Sequence, residues 1–285
     1  MKNAIIIPNY LKEKSLAFSI VAKKLLEEKG YNPIILKENE MFKGEADFAI
    51  VLGGDGTIIR ASKQLYGTDI PVLGINFGNL GYLTECNPET AIDAINKLIN
   101  GDHIIENRLM INGEIIRDGK KIHSFIALNE ASLYRATLMK SFKMEIYING
   151  KHTNTVLGDG LIIATPTGST SYNLSAGGPI LTPTANNMVI TQIAPFSFPG
   201  TPLVTAGDDV IEIKINIDNI TKKGNVAIEF DGSESVEIKD GDIIKIRKAD
   251  HNAKIIKVSD RSFYQLLKEK LSKANNEIYE ELCLK

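Results

Sequence analysis

Residues 48–57, with the sequence FAIVLGGDGT, are a run of five apolar residues that leads directly into three glycines around an aspartate. A short, continuous apolar run is typical of a strand that is buried on both faces of a sheet. The glycines let the backbone approach a phosphate closely, and a following helix presents its positive N-terminus to an anion. The stretch therefore predicts a ligand site at the carboxyl end of a strand in an open α/β sheet.

Asp55 lies among these glycines and would repel bare phosphate, which indicates that it faces a hydroxyl group or a metal ion. A tight strand-to-helix turn, in which Asp55 only caps the helix, is an open alternative. The chain has no Gly-x-x-x-x-Gly-Lys-Ser/Thr motif and no Gly-x-Gly-x-x-Gly after its first strand. It is therefore predicted to be neither a P-loop NTPase nor an ordinary Rossmann dehydrogenase.

Strand and helix patterns alternate on both sides of this stretch. Gly30 and Gly101 stand where the C-terminal caps of two helices belong. This alternation predicts a Rossmann-like α/β domain with a parallel sheet over residues 1–105. The further strands are predicted at 4–7, 34–36 and 72–75, and the helices at 13–29, 58–66 and 88–100.

The pattern changes after about residue 109. Asp-Gly at 118–119 and Asn-Gly at 149–150 are typical of hairpin turns, and residues 211–218 alternate strictly between apolar and polar. We predict an antiparallel all-β domain over residues 106–260, followed by a helix and tail over 261–285 that joins the first domain. The short strands predicted late in this domain are 226–230, 236–238, 243–247 and 254–258.

Composition excludes several classes of protein. The 285 residues carry 33 Lys and Arg against 35 Asp and Glu, a net charge of −2, which argues against binding to nucleic acid or to a membrane surface by bulk positive charge. The N-terminal apolar run breaks at Pro8, and no run approaches a membrane span. Cys86 and Cys283 form no Cys-x-x-Cys motif, and the four histidines are scattered. We expect a cytoplasmic protein with reduced thiols and no structural metal.

A long polar segment, residues 158–179, follows another apolar strand. Its hydroxyl groups, glycines and single tyrosine offer many hydrogen-bond donors and one flat ring at low charge. Such a loop suits a polyhydroxylated or heteroaromatic ligand better than a highly charged one, and it is too long to be a simple turn.

Together, four segments resemble the NAD kinase family: GGDGT at 53–57, GINFGNLGYL at 74–83, LNE at 128–130 and DGLIIATPTGSTSYNLSAGGP at 159–179. The first motif also occurs in phosphofructokinases and diacylglycerol-type lipid kinases, whereas the last is very specific. The resemblance implies an N-terminal α/β domain and a C-terminal antiparallel β domain with the ligand between them. It also implies transfer of a γ-phosphoryl group from a nucleoside triphosphate or polyphosphate, with Mg²⁺, to the 2′-hydroxyl of the adenosine ribose of NAD.

The resemblance also assigns roles to residues. Asp55 would be the general base on the acceptor hydroxyl, Gly56 and Arg60 match positions at the nucleotide phosphates, and Asn129 and Glu130 match a pair that binds NAD. Lys140 falls at a position that is often basic. A second contact segment with the cofactor matches Asp159, Thr170, Ser171, Tyr172, Asn173, Leu174 and Ser175.

The chain departs from the family pattern at four positions. Leu157 stands at a cofactor-binding position that is commonly arginine, and Phe196 and Thr201 replace a histidine and an arginine. Ser233 follows Asp231-Gly232, where glutamine is common. The first three changes remove groups that could carry or share positive charge near a phosphate, so they bear on the phosphoryl donor and on the choice between NAD and NADH.

Two alternatives to an NAD kinase stay open at this point. One is a diacylglycerol- or sphingosine-type lipid kinase, which combines a similar glycine loop with a β domain. The other is a nucleotide-binding regulator that has kept the pocket and lost phosphoryl transfer. The family is usually dimeric or tetrameric, so the resemblance implies a homodimer or a homotetramer.

Overall fold

The computed structural model describes residues 2–78, 81–136, 141–196, 200–217, 225–233 and 235–272. The chain divides into two compact units. The first unit contains the residues up to Gln64, Ile70–Glu106 and the residues from Lys254 on, and the second contains Leu65–Asp69 and Asn107–Ala253. No helix among the described residues is long and apolar enough to cross a membrane.

The first unit is built around a six-stranded sheet in the order β2-β1-β3-β4-β18-β5. The neighbours from β2 to β18 in this order run parallel, and β3 is buried along its whole length, as is typical of a parallel sheet that is covered on both faces. The strands of this sheet are β1 (Lys2–Pro8), β2 (Tyr31–Ile35), β3 (Phe48–Leu52), β4 (Val72–Ile75), β5 (Ile104–Arg108) and β18 (Ala253–Lys257).

The helices of this unit begin and end near the predicted residues. Gly30 and Gly101 both have positive φ, +81° and +84°, and follow the ends of α1 and α3, so both predicted C-terminal caps are confirmed. A short 3₁₀ turn, Pro88–Thr90, precedes α3. The helices are α1 (Glu13–Glu28), α2 (Asp55–Gln64), α3 (Ala91–Asn100) and a C-terminal helix, α5, that is described over 263–272.

The second unit consists of two six-stranded sheets whose neighbouring strands are antiparallel, in the orders β10-β9-β14-β17-β6-β7 and β13-β12-β11-β8-β15-β16. A single apolar cluster draws side chains from both sheets. The strands are β6 (Ile111–Arg117), β7 (Lys120–Ala127), β8 (Glu130–Arg135), β9 (Phe142–Ile148), β10 (Lys151–Gly158), β11 (Gly160–Ala164), β12 (Asn187–Ile193), β13 (Leu203–Ala206), β14 (Ile211–Asn216), β15 (Val226–Phe230), β16 (Ser235–Ile238) and β17 (Ile243–Lys248), with the short helix α4 (Tyr172–Ser175) after β11.

The predicted hairpin turns are confirmed. Asp118-Gly119 joins β6 to β7 and Asn149-Gly150 joins β9 to β10, and all four residues have positive φ between 51° and 75°. Two such residues in succession are the signature of a type I′ turn, whose twist matches that of the flanking strands.

The structure differs from the sequence-based expectation at several places. Strand β2 covers Tyr31–Ile35 rather than 34–36, and residues 160–164 of the long polar segment form the buried strand β11. Helix α2 begins at Asp55 rather than at Ile58, so the aspartate is part of its first turn. Residues 254–258 were expected in the β domain, but β18 pairs in parallel with β4 and extends the first sheet. Its adjacent residues Ile255 and Ile256 are both buried, which suits a sheet that is covered on both faces. A strand of five residues is too short for its sequence pattern to show which sheet it joins.

Candidate functional site

The carboxylate of Asp55 is held by two backbone N–H groups. Its Oδ2 accepts a hydrogen bond from the N–H of Tyr82 at 2.7 Å, and its Oδ1 accepts one from the N–H of Leu83 at 3.0 Å. A Cβ atom at Gly81 would overlap this carboxylate, so only glycine permits the approach. The contact joins the first two glycine segments of the sequence. Each carboxylate oxygen has a further lone pair, so Asp55 can still accept a hydrogen bond from a ligand hydroxyl.

The C-terminal helix supports the loop that holds Asp55. The rings of Tyr82 and Phe263 lie 6.4 Å apart between centroids, and the Nζ atom of Lys270 lies 5.6 Å from the centre of the Tyr82 ring. Burial of the phenol and the negative charge of Asp55 both raise the pKa of Tyr82. The sequence alone assigns Tyr82 no role, because its neighbours lie far away along the chain.

A buried carboxylate ties the same loop to the strand β18. Glu85 forms an ion pair with Lys257 and accepts hydrogen bonds from the N–H groups of Val258, at 3.0 Å, and Ser259, at 3.2 Å. These contacts link the segment after β4 to a part of the chain more than 170 residues away. The segment after β4, which holds Asp55, is thus tied to the last strand of the first unit.

Gly56 and Arg60 lie on the first two turns of α2. Gly56 is exposed, whereas Arg60 is partly exposed and its Nη1 lies 3.4 Å from Oε1 of Glu38. Arg60, which the resemblance assigns to the nucleotide phosphates, therefore already has an anionic neighbour. Lys140 lies outside the described residues.

In the second unit, Asp231 holds the segment that contains Asn129 and Glu130. Its carboxylate accepts hydrogen bonds from the N–H groups of Leu128 at 3.0 Å, Asn129 at 2.7 Å and Glu130 at 3.2 Å. Sequence reasoning named Asp231 only as one of the two residues before Ser233; in the structure its φ is +55°. The positioning role was missed because the partners are about 100 residues away, and no local signal reveals them.

The long polar segment packs against the other side of residues 128–130. The hydroxyl of Thr165 donates to the carbonyl oxygen of Leu128, and the N–H of Thr165 donates to that of Asn129 at 2.8 Å. A Cβ atom at Gly168 would overlap the backbone of Asn129. The Ser171 hydroxyl donates to Oε1 of Glu130 at 3.3 Å. The structure thus brings the third and fourth motifs into direct contact.

The residues of the second contact segment differ in accessibility. Tyr172 is 42% exposed and Ser175 is also exposed, while Thr170, Ser171 and Leu174 are half-buried. These side chains can reach a ligand.

Asn173 is fully buried, in contrast to its neighbours. Its amide nitrogen donates to the carbonyl oxygens of Ser169 and Pro179, and its Oδ1 accepts from the Thr191 hydroxyl at 2.6 Å. The side-chain amide of Asn173 therefore holds the loop in place.

Asp159 forms an ion pair that the sequence did not indicate. Its Oδ2 lies 2.7 Å from Nη2 of Arg135, and its Oδ1 accepts a hydrogen bond from the Ser141 hydroxyl at 2.9 Å. Leu157 is 44% exposed, and its carbonyl oxygen accepts from the N–H of Phe196, which is itself exposed. The arginine missing at position 157 is therefore replaced by an apolar surface, while Arg135 supplies a positive charge next to Asp159.

Comparisons with known proteins agree with the resemblance. Residues 10–104 match the family model of the ATP-NAD kinase N-terminal domain, and residues 128–258 match that of the ATP-NAD kinase C-terminal domain. Together these matches cover more than half of the chain. An NAD kinase from Lachnoclostridium phytofermentans is 36% identical over an alignment of 282 residues that covers 95% of this chain and 99% of that relative.

Solved structures show the same fold. Yeast NADH kinase complexed with NADH aligns with a TM-score of 0.85 at 23% identity, over 95% of this chain and 88% of that one. An NAD kinase from Archaeoglobus fulgidus in complex with ATP aligns with a TM-score of 0.73 at 26% identity, over 95% and 99% of the two chains. The predicted fold class, an α/β domain with an antiparallel β domain, is confirmed. The chain belongs to the NAD kinase family and is a phosphotransferase.

Proposed function

We propose that the chain transfers the γ-phosphoryl group of ATP to the 2′-hydroxyl of the adenosine ribose of NAD, with Asp55 as the general base. The observation that carries this proposal is the Asp55 carboxylate, which two backbone N–H groups orient at the N-terminus of α2. The named relatives support NAD as the acceptor, and the ATP in the Archaeoglobus fulgidus complex supports the donor.

The chemistry asks for positioning, a proton acceptor and neutralisation of charge. The ribose oxygen forms a bond to the γ-phosphorus while the bond from that phosphorus to the bridging oxygen breaks, and ADP leaves. The proton of the 2′-hydroxyl passes to a carboxylate oxygen of Asp55. The carboxylate also orients the hydroxyl, because its two N–H partners restrict its rotation.

On the NAD side, we assign binding to Asn129 and Glu130 and to the accessible side chains after β11. The Glu130 carboxylate accepts hydrogen bonds from ribose hydroxyls, and the exposed ring of Tyr172 packs against a base. Asp231 and Asn173 act indirectly, by holding these segments in place. The other assigned contacts are Asp159, Thr170, Ser171, Leu174 and Ser175, with Leu157 beside them.

The donor set of the first unit fits Mg²⁺, which prefers hard oxygen ligands and keeps several waters. The Asp55 carboxylate and the buried amide oxygen of Asn76, which has no hydrogen-bond partner among the described residues, are suited to the ion or to its waters. Bound with ATP, Mg²⁺ neutralises negative charge on the phosphates. We further propose that the protein acts in the cytoplasm as a homodimer or homotetramer.

The test is to incubate the purified protein with NAD, ATP and Mg²⁺ and to follow NADP with an NADP-specific dehydrogenase. NADP formation is expected. NAD binding without NADP would favour a regulator, and phosphorylation of diacylglycerol or sphingosine without that of NAD would favour a lipid kinase. Parallel reactions with polyphosphate and with NADH identify the donor and the acceptor.

Replacement of Gly81 by alanine is expected to lower kcat by about 10–100-fold, because its Cβ atom displaces the Asp55 carboxylate from the N–H groups of Tyr82 and Leu83. The measurement is the initial rate of NADP formation at saturating NAD and ATP. Gly101→Ala strains a left-handed helix end without meeting another atom, so it is the control for a general loss of stability. Equal rates for the Gly81 variant and the wild type would contradict the close packing of Gly81 against the Asp55 carboxylate.

A further inference from the structure

The side chain of Lys12 joins two loops at the edge of the sheet where the GGDGT turn lies. Lys12 follows β1, yet its Nζ donates to the carbonyl oxygen of Phe77, after β4, at 3.3 Å. In the sheet, β3 lies between β1 and β4, and the loops after all three strands are at the same carboxyl edge. The Lys12 ammonium therefore lies at the same edge of the sheet as the loop that follows β3.

A buried acceptor faces the same space. Asn76 is 2% exposed, and its Oδ1 has no hydrogen-bond partner among the described residues. A Cβ atom built at Gly54 would lie 3.8 Å from this oxygen. One built at Gly78 would lie 3.9 Å from the same oxygen and 3.0 Å from Nζ of Lys12. Buried polar atoms nearly always have partners. An amide oxygen only accepts, so this oxygen marks a place for a water that a bound ligand carries with it.

The third element of this place is the first turn of α2. The first N–H groups of a helix have no partner within the helix and carry the positive end of its dipole. The N–H groups of Thr57 and Ile58 donate to the carbonyl oxygen of Gly54, and Gly54 and Gly56 have no side chain that would cover the N–H groups before them. The hydrogen bond that the structure shows for the Lys12 ammonium goes to a carbonyl oxygen, whereas Arg60 has Glu38 beside it. Lys12 is therefore the better cation for an incoming anion.

We propose that Lys12 binds the phosphate chain of the phosphoryl donor, over the turn that Gly54, Asn76 and Gly78 leave open. This assignment rests on the proposed function. It supplies a positive charge in place of the arginines that are common in the family where this chain has Leu157 and Thr201. An ammonium group is a compact point charge, which suits both a nucleoside triphosphate and an inorganic polyphosphate. Lys12 is a binding residue and takes no part in proton transfer.

The test compares Lys12→Met with Lys14→Met, a control that removes an equally exposed lysine two residues away. For Lys12→Met we expect KM for ATP to rise about 10–100-fold, since a charge-assisted hydrogen bond is lost, while KM for NAD stays within about 2-fold. Lys12→Arg should recover part of the affinity. An unchanged KM for ATP in Lys12→Met, or an equal rise in Lys14→Met, would overturn the proposal.

A binding measurement separates this proposal from the proposed function. Inorganic tripolyphosphate, titrated calorimetrically with Mg²⁺, is expected to bind the wild type and Lys14→Met, and to bind Lys12→Met about 10-fold or more weakly. If the wild type forms no NADP but this difference is found, the NAD kinase activity is wrong and Lys12 remains a phosphate ligand. If NADP is formed and the two lysine variants bind tripolyphosphate equally, Lys12 has no such role.

Discussion

Replacement of Asp55 by asparagine is expected to lower kcat for NADP formation by about 10²–10⁴-fold, the usual contribution of a general base. The amide cannot take the proton from the 2′-hydroxyl, and only one of its two terminal atoms can accept from the N–H groups of Tyr82 and Leu83. The fold should persist, because Asp55 is only partly buried and asparagine has the same shape. Initial rates at saturating NAD and ATP measure the effect.

The control for this variant is Asp93→Asn, which makes the same change in the first turn of α3 at an exposed position. It should keep the wild-type rate. Thermal denaturation of both variants separates a loss of chemistry from a loss of fold. If Asp55→Asn is folded, binds NAD with unchanged KM and turns over within a few-fold of the wild type, Asp55 is not the base.

The first unit shows which parts of the fold can be predicted from local sequence. The end of α3 follows from Gly101 alone, since that residue takes a left-handed conformation that side chains disfavour. The start of α2 was predicted three residues late, because three glycines around Asp55 are typical of a loop, although Asp55 and Gly56 are part of the helix. The partner of β18 could not be predicted, because strand pairing over 180 residues leaves no local pattern.

In the candidate site, too, local features can be predicted from the sequence and long-range contacts cannot. The glycine-rich motif points to Asp55, and the resemblance to the family alone points to Glu130. They do not identify the groups that hold these residues, since hydrogen bonds from Tyr82 to Asp55, or from residues 128–130 to Asp231, join distant segments. Lys12 was overlooked for this reason: at the start of a helix with an ordinary sequence, it becomes notable only once β1 and β4 are placed in one sheet.

Replacement of Asp231 by alanine is expected to raise KM for NAD by about 100-fold and to change kcat much less. The substitution removes the acceptor of three backbone N–H groups, at Leu128, Asn129 and Glu130, so the segment that binds NAD loses its anchor. Hydrogen bonds to a charged group contribute about 1.5–3 kcal/mol each, and not all of this is lost if water replaces the carboxylate. The free energy of unfolding should therefore fall by about 2–4 kcal/mol, partly because alanine is strained at a φ of +55°.

Asp231→Asn separates these two effects. Asparagine accepts a positive φ and keeps one acceptor oxygen, so the loss of stability should be small while KM for NAD still rises about 10-fold through the lost charge-assisted hydrogen bonds. Asp118→Asn, at a hairpin turn where φ is +51°, makes the same change outside the NAD-binding segment and should leave KM unchanged. A KM for NAD that stays at the wild-type value in Asp231→Asn, with normal KM in Asp118→Asn, would show that the carboxylate stabilises the turn but does not position Asn129 and Glu130.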